Sequence, residues 1–434
     1  MYTSIIILFT DSFSIRLEGF MNFSFKHTLY ACFIGYVTQA VVSNLPSLLL
    51  IIFQEQFNLS LEKIALLITI GFSVQICIDI IAGKVVDRIG YRASIIIANL
   101  CCVGGLACMS ILPEYMEPFW ALLIAISLNS VGGGFIEVVI SPLVGALPGD
   151  EKANAISVLH SFYCWGVVGV IFLTTLYFTI FGLRNWIYLP IIWSIVPLIN
   201  TFLFTSVPVR ELVEQHERTS MRRLLTLKTF WLLFVLMICA GAAEQAMSKW
   251  SSLYAERGLG VSKAFGDLLG PCAFAALMGL ARIFYSKLAR KVDMKKLLMW
   301  SSVLCIFSYL IASLALDPIV ALIGCALTGL AIGVMWPVTI SLSSETYPRG
   351  GNSMFALLAL GGDIGCAIGP SAVGIVSLAV SHSSWSLIEE IQTSSQLAEF
   401  SLRGGLLLTI IFPIIIIVCI RQLQKTKNVS VKVL

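Results

Sequence analysis

Residues 83–92 read Gly83-Lys84-Val85-Val86-Asp87-Arg88-Ile89-Gly90-Tyr91-Arg92, a short charged segment punctuated by two glycines. It separates two apolar runs, 61–82 and 93–112, each about as long as the roughly 20 helical residues that cross about 30 Å of hydrocarbon. The segment is therefore a tight connection between membrane spans. A degenerate second copy, Ser286-Lys287-Leu288-Ala289-Arg290-Lys291-Val292-Asp293-Met294-Lys295-Lys296, follows another apolar run much further along. A signature repeated at equivalent places implies two related halves.

Working outward, apolar windows appear near 28–53, 61–82, 93–112, 118–147, 153–181 and 185–207, then near 229–255, 264–288, 297–316, 318–343, 351–379 and 401–421. Twelve transmembrane helices in two pseudo-symmetric halves, an all-α polytopic membrane protein, account for them. The domain reading is a cytoplasmic N-terminus over 1–27, a six-helix half over 28–207, a linker over 208–228, a second six-helix half over 229–421 and a tail over 422–434. Met21, preceded by Glu18-Gly19-Phe20, is the expected translation start. Most of the 28 Lys and Arg fall on one side of this arrangement. Lys63, Arg184, Arg257, Lys263 and Arg403 are the exceptions outside the spans, so the positive-inside rule puts both termini in the cytoplasm.

Composition agrees. Of 434 residues, 58% are apolar and 12% charged, which excludes a soluble enzyme. A net charge of +4 without a basic-aromatic stretch excludes a nucleic-acid partner. The 12 cysteines sit mostly singly in apolar surroundings, without metal-ligand spacing, and read as small core hydrophobes; no metal or cofactor is expected. No nucleotide-binding or hydrolase constellation appears.

The Gly-x-x-x-Asp-Arg-x-Gly-x-Arg spacing of residues 83–92, with twelve spans and a long central linker, resembles the loop signature of the major facilitator superfamily. Gly83 then permits close helix approach, Asp87 meets the positive end of a neighbouring helix, and Arg88 and Arg92 hold the loop at the cytosolic face. Together they form a latch that closes the cytoplasmic side and breaks during transport. Within the superfamily, Gly134-Phe135-Ile136-Glu137-Val138-Val139-Ile140-Ser141-Pro142 and Asn154 to Phe162 with Gly166 and Gly169 resemble the fucose permease-like family. One departure stands out. That family's permease carries an acid late in its first helix, where this chain reads Ser43-Asn44-Leu45-Pro46-Ser47.

A mid-bilayer charge costs at least about 2.5–3.5 kcal/mol, so each that persists marks a site or a partner. Glu137, behind Gly132, Gly133 and Gly134, is the expected proton-coupling group; its alternative is a neutral acid tying two helices. His160 either bonds a hydroxylated ligand or Glu137, or is a packing histidine. Asn44 is preferred over Gln39 in the first span because Pro46 bends the helix beside it. Glu244 and Gln245 complete the candidate binding groups with Trp250, which either stacks on a sugar or belongs to an interfacial belt. Arg282 and Asp363 are expected to gate the second half, as an ion pair or as two charges reaching water. The function implied is secondary transport of a small neutral hydroxylated solute, a sugar, by proton symport in the cell membrane, by a monomer. Proton-coupled efflux and a non-transporting sensor are the alternatives; efflux carriers usually show Gly-x-x-x-Gly-Pro in the fifth helix, whereas here Gly166 and Gly169 lack that Pro and Gly365-x-x-x-Gly369-Pro370 lies in span eleven, which lowers the efflux reading.

Overall fold

The computed structural model describes residues 23–59, 61–147, 152–209, 219–262, 265–266, 268–288, 291–387 and 394–430. Met21 and most of the charged linker therefore lie outside the described residues. The helices are α1 (Phe25–Phe57), α2 (Leu61–Ile111), α3 (Pro118–Ala146), α4 (Lys152–Phe181), α5 (Tyr188–Ser206), a short α6 (Met221–Leu225), α7 (Lys228–Leu253), α8 (Ala273–Leu288), α9 (Met294–Leu314), α10 (Pro318–Ile332), α11 (Met335–Thr346), α12 (Gly351–Leu387), α13 (Ser394–Leu408) and α14 (Ile411–Ser430).

Eleven helical stretches among the described residues are long and apolar enough to cross a membrane. One of them, Thr69–Glu114, is 46 residues long, twice what a crossing needs. It turns back inside the quoted signature, at Gly90, whose φ of 80° and ψ of 166° suit only glycine. Counting α2 twice yields the twelve expected spans. Large apolar side chains such as Phe202, Phe284, Phe307 and Ile375 are more than half exposed, as lipid-facing positions are.

Two expected spans are interrupted. Span ten divides into α10 and α11 at Gly333-Val334, and span twelve into α13 and α14 at Thr409-Ile410. Each break begins four residues before a proline, Pro337 and Pro413, whose missing N–H leaves the carbonyl four residues back without its helical donor.

Described contacts divide the chain into two compact units: residues up to Ser220 together with Arg349–Leu357, and Met221–Pro348 together with Leu358 onward. The first turn of α12 thus groups with the first unit. There Asn352 donates to Asp87 at 2.7 Å, Tyr91 donates to Asn352, and the Thr219 N–H reaches the Arg349 carbonyl at 2.8 Å.

Within the first unit three consecutive glycines bring three helical segments onto α3. A Cβ on Gly132 would lie 2.6 Å from the Ala98 carbonyl, one on Gly133 would lie 2.8 Å from Gln39 Oε1, and one on Gly134 would lie 2.9 Å from the Ile78 side chain. Within the second unit α12 lies against α7 along a glycine seam. Cβ atoms on Gly365 and Gly369 would come within 2.0 Å of the Ile238 carbonyl and 2.1 Å of the Ala242 carbonyl. The Gly365-x-x-x-Gly369 run is therefore a packing surface for α7.

Candidate functional site

Glu137 sits on α3 one turn beyond the three glycines, and the close approach they allow brings amides to it from two helices. Gln75 of α2 donates from Nε2 to Glu137 Oε2 at 3.2 Å, and Gln39 of α1 donates from Nε2 to the same oxygen at 3.4 Å. Gln39 is 5% exposed, and its Oε1 is buried against Gly133 with no hydrogen-bond partner among the described residues. Asp79, one turn after Gln75 on the same face of α2, is fully buried beside Gly134.

A second group of polar side chains lies one turn further along α3. Tyr36 of α1 shares a hydrogen bond of 2.9 Å with Ser141 of α3 and lies 3.4 Å from Nε2 of His160 on α4, the two rings meeting edge to face. His160 is thus joined through Tyr36 to α1 and α3. Asn44 turns its amide to the Ala40 carbonyl of its own helix at 2.9 Å. Of the two first-span candidates it is Gln39, not Asn44, that the structure brings to Glu137. Gln75, Tyr36 and Ser141 were missed in the sequence reading. For Gln75 a signal existed, since it lies four residues before Asp79, an acid inside an apolar run, and shares its helical face.

At the signature loop, Gly83 is buried on α2, Asp87 is half-buried and accepts from Asn352, and Arg88 is exposed. Arg92 closes the C-terminal end of α5. Its guanidinium donates to the carbonyls of Phe204 at 2.9 Å, Thr205 at 2.7 Å and Val207 at 3.0 Å, groups a helix end leaves without internal donors. The second-copy aspartate, Asp293, caps its own helix instead, accepting from the Lys296 N–H at 3.0 Å.

In the second unit Arg282 of α8 is 2% exposed and Glu244 of α7 5%. Arg282 Nη2 lies 3.3 Å from Glu244 Oε2, and its Nε donates at 2.8 Å to the Gly333 carbonyl, the one that Pro337 leaves without a helical donor. Glu244, a candidate binding group in the sequence, is thus brought to Arg282. Asp363 is buried on α12. Gln245 is half-buried on α7. Trp250 donates its indole N–H to the Pro370 carbonyl at 3.0 Å and packs its ring over Gly374, so that it fastens α7 to α12.

The sequence profile of the Major Facilitator Superfamily matches residues 32–370. No curated protein sequence matches. Among solved structures, a single-residue variant of the E. coli fucose:proton symporter FucP is similar at 15% identity, covering 92% of this chain and 99% of that one, with a TM-score of 0.73. FucP in the outward conformation is similar at 17% identity, covering 91% and 98%, with a TM-score of 0.71. The proton:xylose symporter XylE, bound to 6-bromo-6-deoxy-D-glucose, is similar at 14% identity, covering 90% and 94%, with a TM-score of 0.65. With the profile matched over most of its length and the fold shared end to end, the chain belongs to the major facilitator superfamily and is a multi-pass membrane transporter, not an enzyme.

Proposed function

We propose that the protein moves a small neutral hydroxylated solute, a sugar, together with protons, by alternating access in the cell membrane with both termini in the cytoplasm. The observation that carries this reading is the chemistry around Glu137. Gln39 and Gln75 meet the carboxylate, while Tyr36, Ser141 and His160 cluster one turn away, and none of these partners is a Lys or Arg. Neutral donors and acceptors beside a titratable carboxyl suit a polyhydroxylated ligand and a proton. Arg282, the buried cation of the second unit, already faces Glu244 and a backbone carbonyl. The similar solved structures are sugar:proton symporters, which supports the same class of cargo.

Proton coupling then resides on Glu137, which is neutral when loaded and ionised when released. Gly83, Asp87, Arg88 and Arg92 form the cytoplasmic latch, with Asp87 held by Asn352 while it is shut. The test is uptake of radiolabelled fucose and xylose into proteoliposomes with and without an inward pH gradient. Accumulation above equilibrium only with the gradient supports the assignment; gradient-independent equilibration, or uptake of neither sugar, would overturn it.

A further inference from the structure

We infer that the elbow joining α6 to α7 binds one anionic phospholipid, with its phosphate between Arg222 and Lys228 and an acyl chain along Leu225 and Trp231. The inference does not depend on the identity of the cargo.

Residues 219–243 include Arg222, Arg223 and Lys228 but no Asp or Glu. All three cations are exposed. Beside them stand two exposed apolar side chains, Leu225 at 36% and Trp231 at 47%. Arg222 and Leu225 are three positions apart on α6, and Lys228 and Trp231 are three apart on α7, so each pair shares a helical face. Each face therefore offers a cation followed, one turn on, by an apolar surface. The two faces are tied together, because the Trp231 indole N–H donates to the Leu225 carbonyl at 2.8 Å.

The elbow is held by its own chain. Leu224 is fully buried and anchors α6, the Thr226 hydroxyl donates to the Arg223 carbonyl at 2.7 Å, and the Leu227 N–H donates to the Leu224 carbonyl at 3.0 Å. The Trp231 ring meets Phe234 edge to face with centroids 5.4 Å apart. With its N–H already used, the indole presents its exposed ring for apolar contact.

Three features favour a lipid over a soluble anion. A tryptophan at the beginning of a span lies at headgroup depth. Lys228 stands in the first turn of α7, which has no acid, so a cation opposes the positive end of the helix there and an anion relieves both. Leu225 and Trp231 supply an apolar surface that an acyl chain covers and a free phosphate does not. A basic side chain at an anionic membrane surface is worth about fivefold in affinity.

Native mass spectrometry of the purified full-length protein in neutral detergent, titrated with phosphatidylglycerol, tests this. One phosphatidylglycerol should bind more tightly than any further copy and more tightly than phosphatidylcholine. Arg222→Gln and Lys228→Gln should each weaken that binding about fivefold, and the alanine variants carry the same expectation if a glutamine variant does not fold. Arg421→Gln with Lys425→Gln, which removes two exposed cations from α14, should leave it unchanged. An equal loss in the α14 variant overturns the proposal in favour of unspecific charge attraction, and equal binding of phosphatidylcholine overturns the need for an anion. Displacement of the lipid by excess inorganic phosphate would mark a free-anion site and overturn the lipid assignment. The parent protein gives a check without substitution: raised ionic strength should weaken the phosphatidylglycerol preference, and a preference insensitive to salt overturns the clamp of Arg222 and Lys228.

Discussion

At the scale of single residues, two acids inside the spans differ in the partners that meet them. Glu137 is half-buried and accepts from the amides of Gln39 and Gln75 on Oε2, whereas the buried Glu244 meets Arg282, whose Nε also serves the Gly333 carbonyl. The first is the proposed proton carrier; the second is held by a cation. Glu137→Gln should therefore abolish gradient-driven accumulation while leaving solute exchange measurable, and accumulation at the parent level in proteoliposomes would refute coupling through this residue. Arg282→Gln should destabilise the protein by about 3–5 kcal/mol in chemical unfolding, because it leaves Glu244 buried and uncompensated. Adding Glu244→Gln should recover part of that loss. The positions of both acids were legible in the sequence, since an acid inside an apolar run needs a reason. Their partners were not. Gln75 and Gln39 are neutral and their inclusion depends on which helix faces which, which one chain's periodicity does not specify, and Pro46 drew attention to Asn44 although that side chain bonds its own helix.

At the scale of elements, the signature loop was readable down to its function-bearing residues, but its turning point was not singled out. Gly90 holds the conformation that reverses the chain, and Asp87 is occupied by Asn352, some 260 positions away, where local pattern is silent. Asp87→Asn should shift the population towards the inward-open state, raising the labelling of a cysteine placed on the cytoplasmic path; Asn352→Ala should act in the same direction, removing a charge-assisted hydrogen bond of about 1.5–3 kcal/mol. Equal labelling in variants and parent would count against the latch. The breaks in spans ten and twelve follow from Pro337 and Pro413. At the α7–α12 seam, Gly369→Leu should cost more than the about 1–3 kcal/mol of ordinary overpacking, since the new side chain meets the Ala242 carbonyl rather than movable atoms. Thermal unfolding of the purified variant measures this.

At the scale of the whole molecule, twelve spans and a major facilitator fold were visible in hydropathy, charge asymmetry and one repeated signature, because the bilayer allows so few solutions. The unit boundary was less visible, since the first turn of α12 groups by contact with residues far from it in sequence. A thermal-shift screen tests the cargo class: neutral monosaccharides should stabilise the protein, and stabilisation confined to organic anions or lipophilic cations would redirect the assignment. The Glu244–Arg282 pair carries a further consequence, for biogenesis. Helix α7 emerges from the ribosome before α8, so Glu244 is already available when Arg282 must enter lipid, and the two can partition as one hairpin with no net charge between them. Arginine alone at mid-membrane opposes insertion by about 2.5 kcal/mol or more. In a nascent chain released after Lys287, Glu244→Leu should therefore leave a larger fraction of α8 uninserted, as scored by glycosylation mapping; equal insertion would mean that the pair forms only after the later helices have arrived.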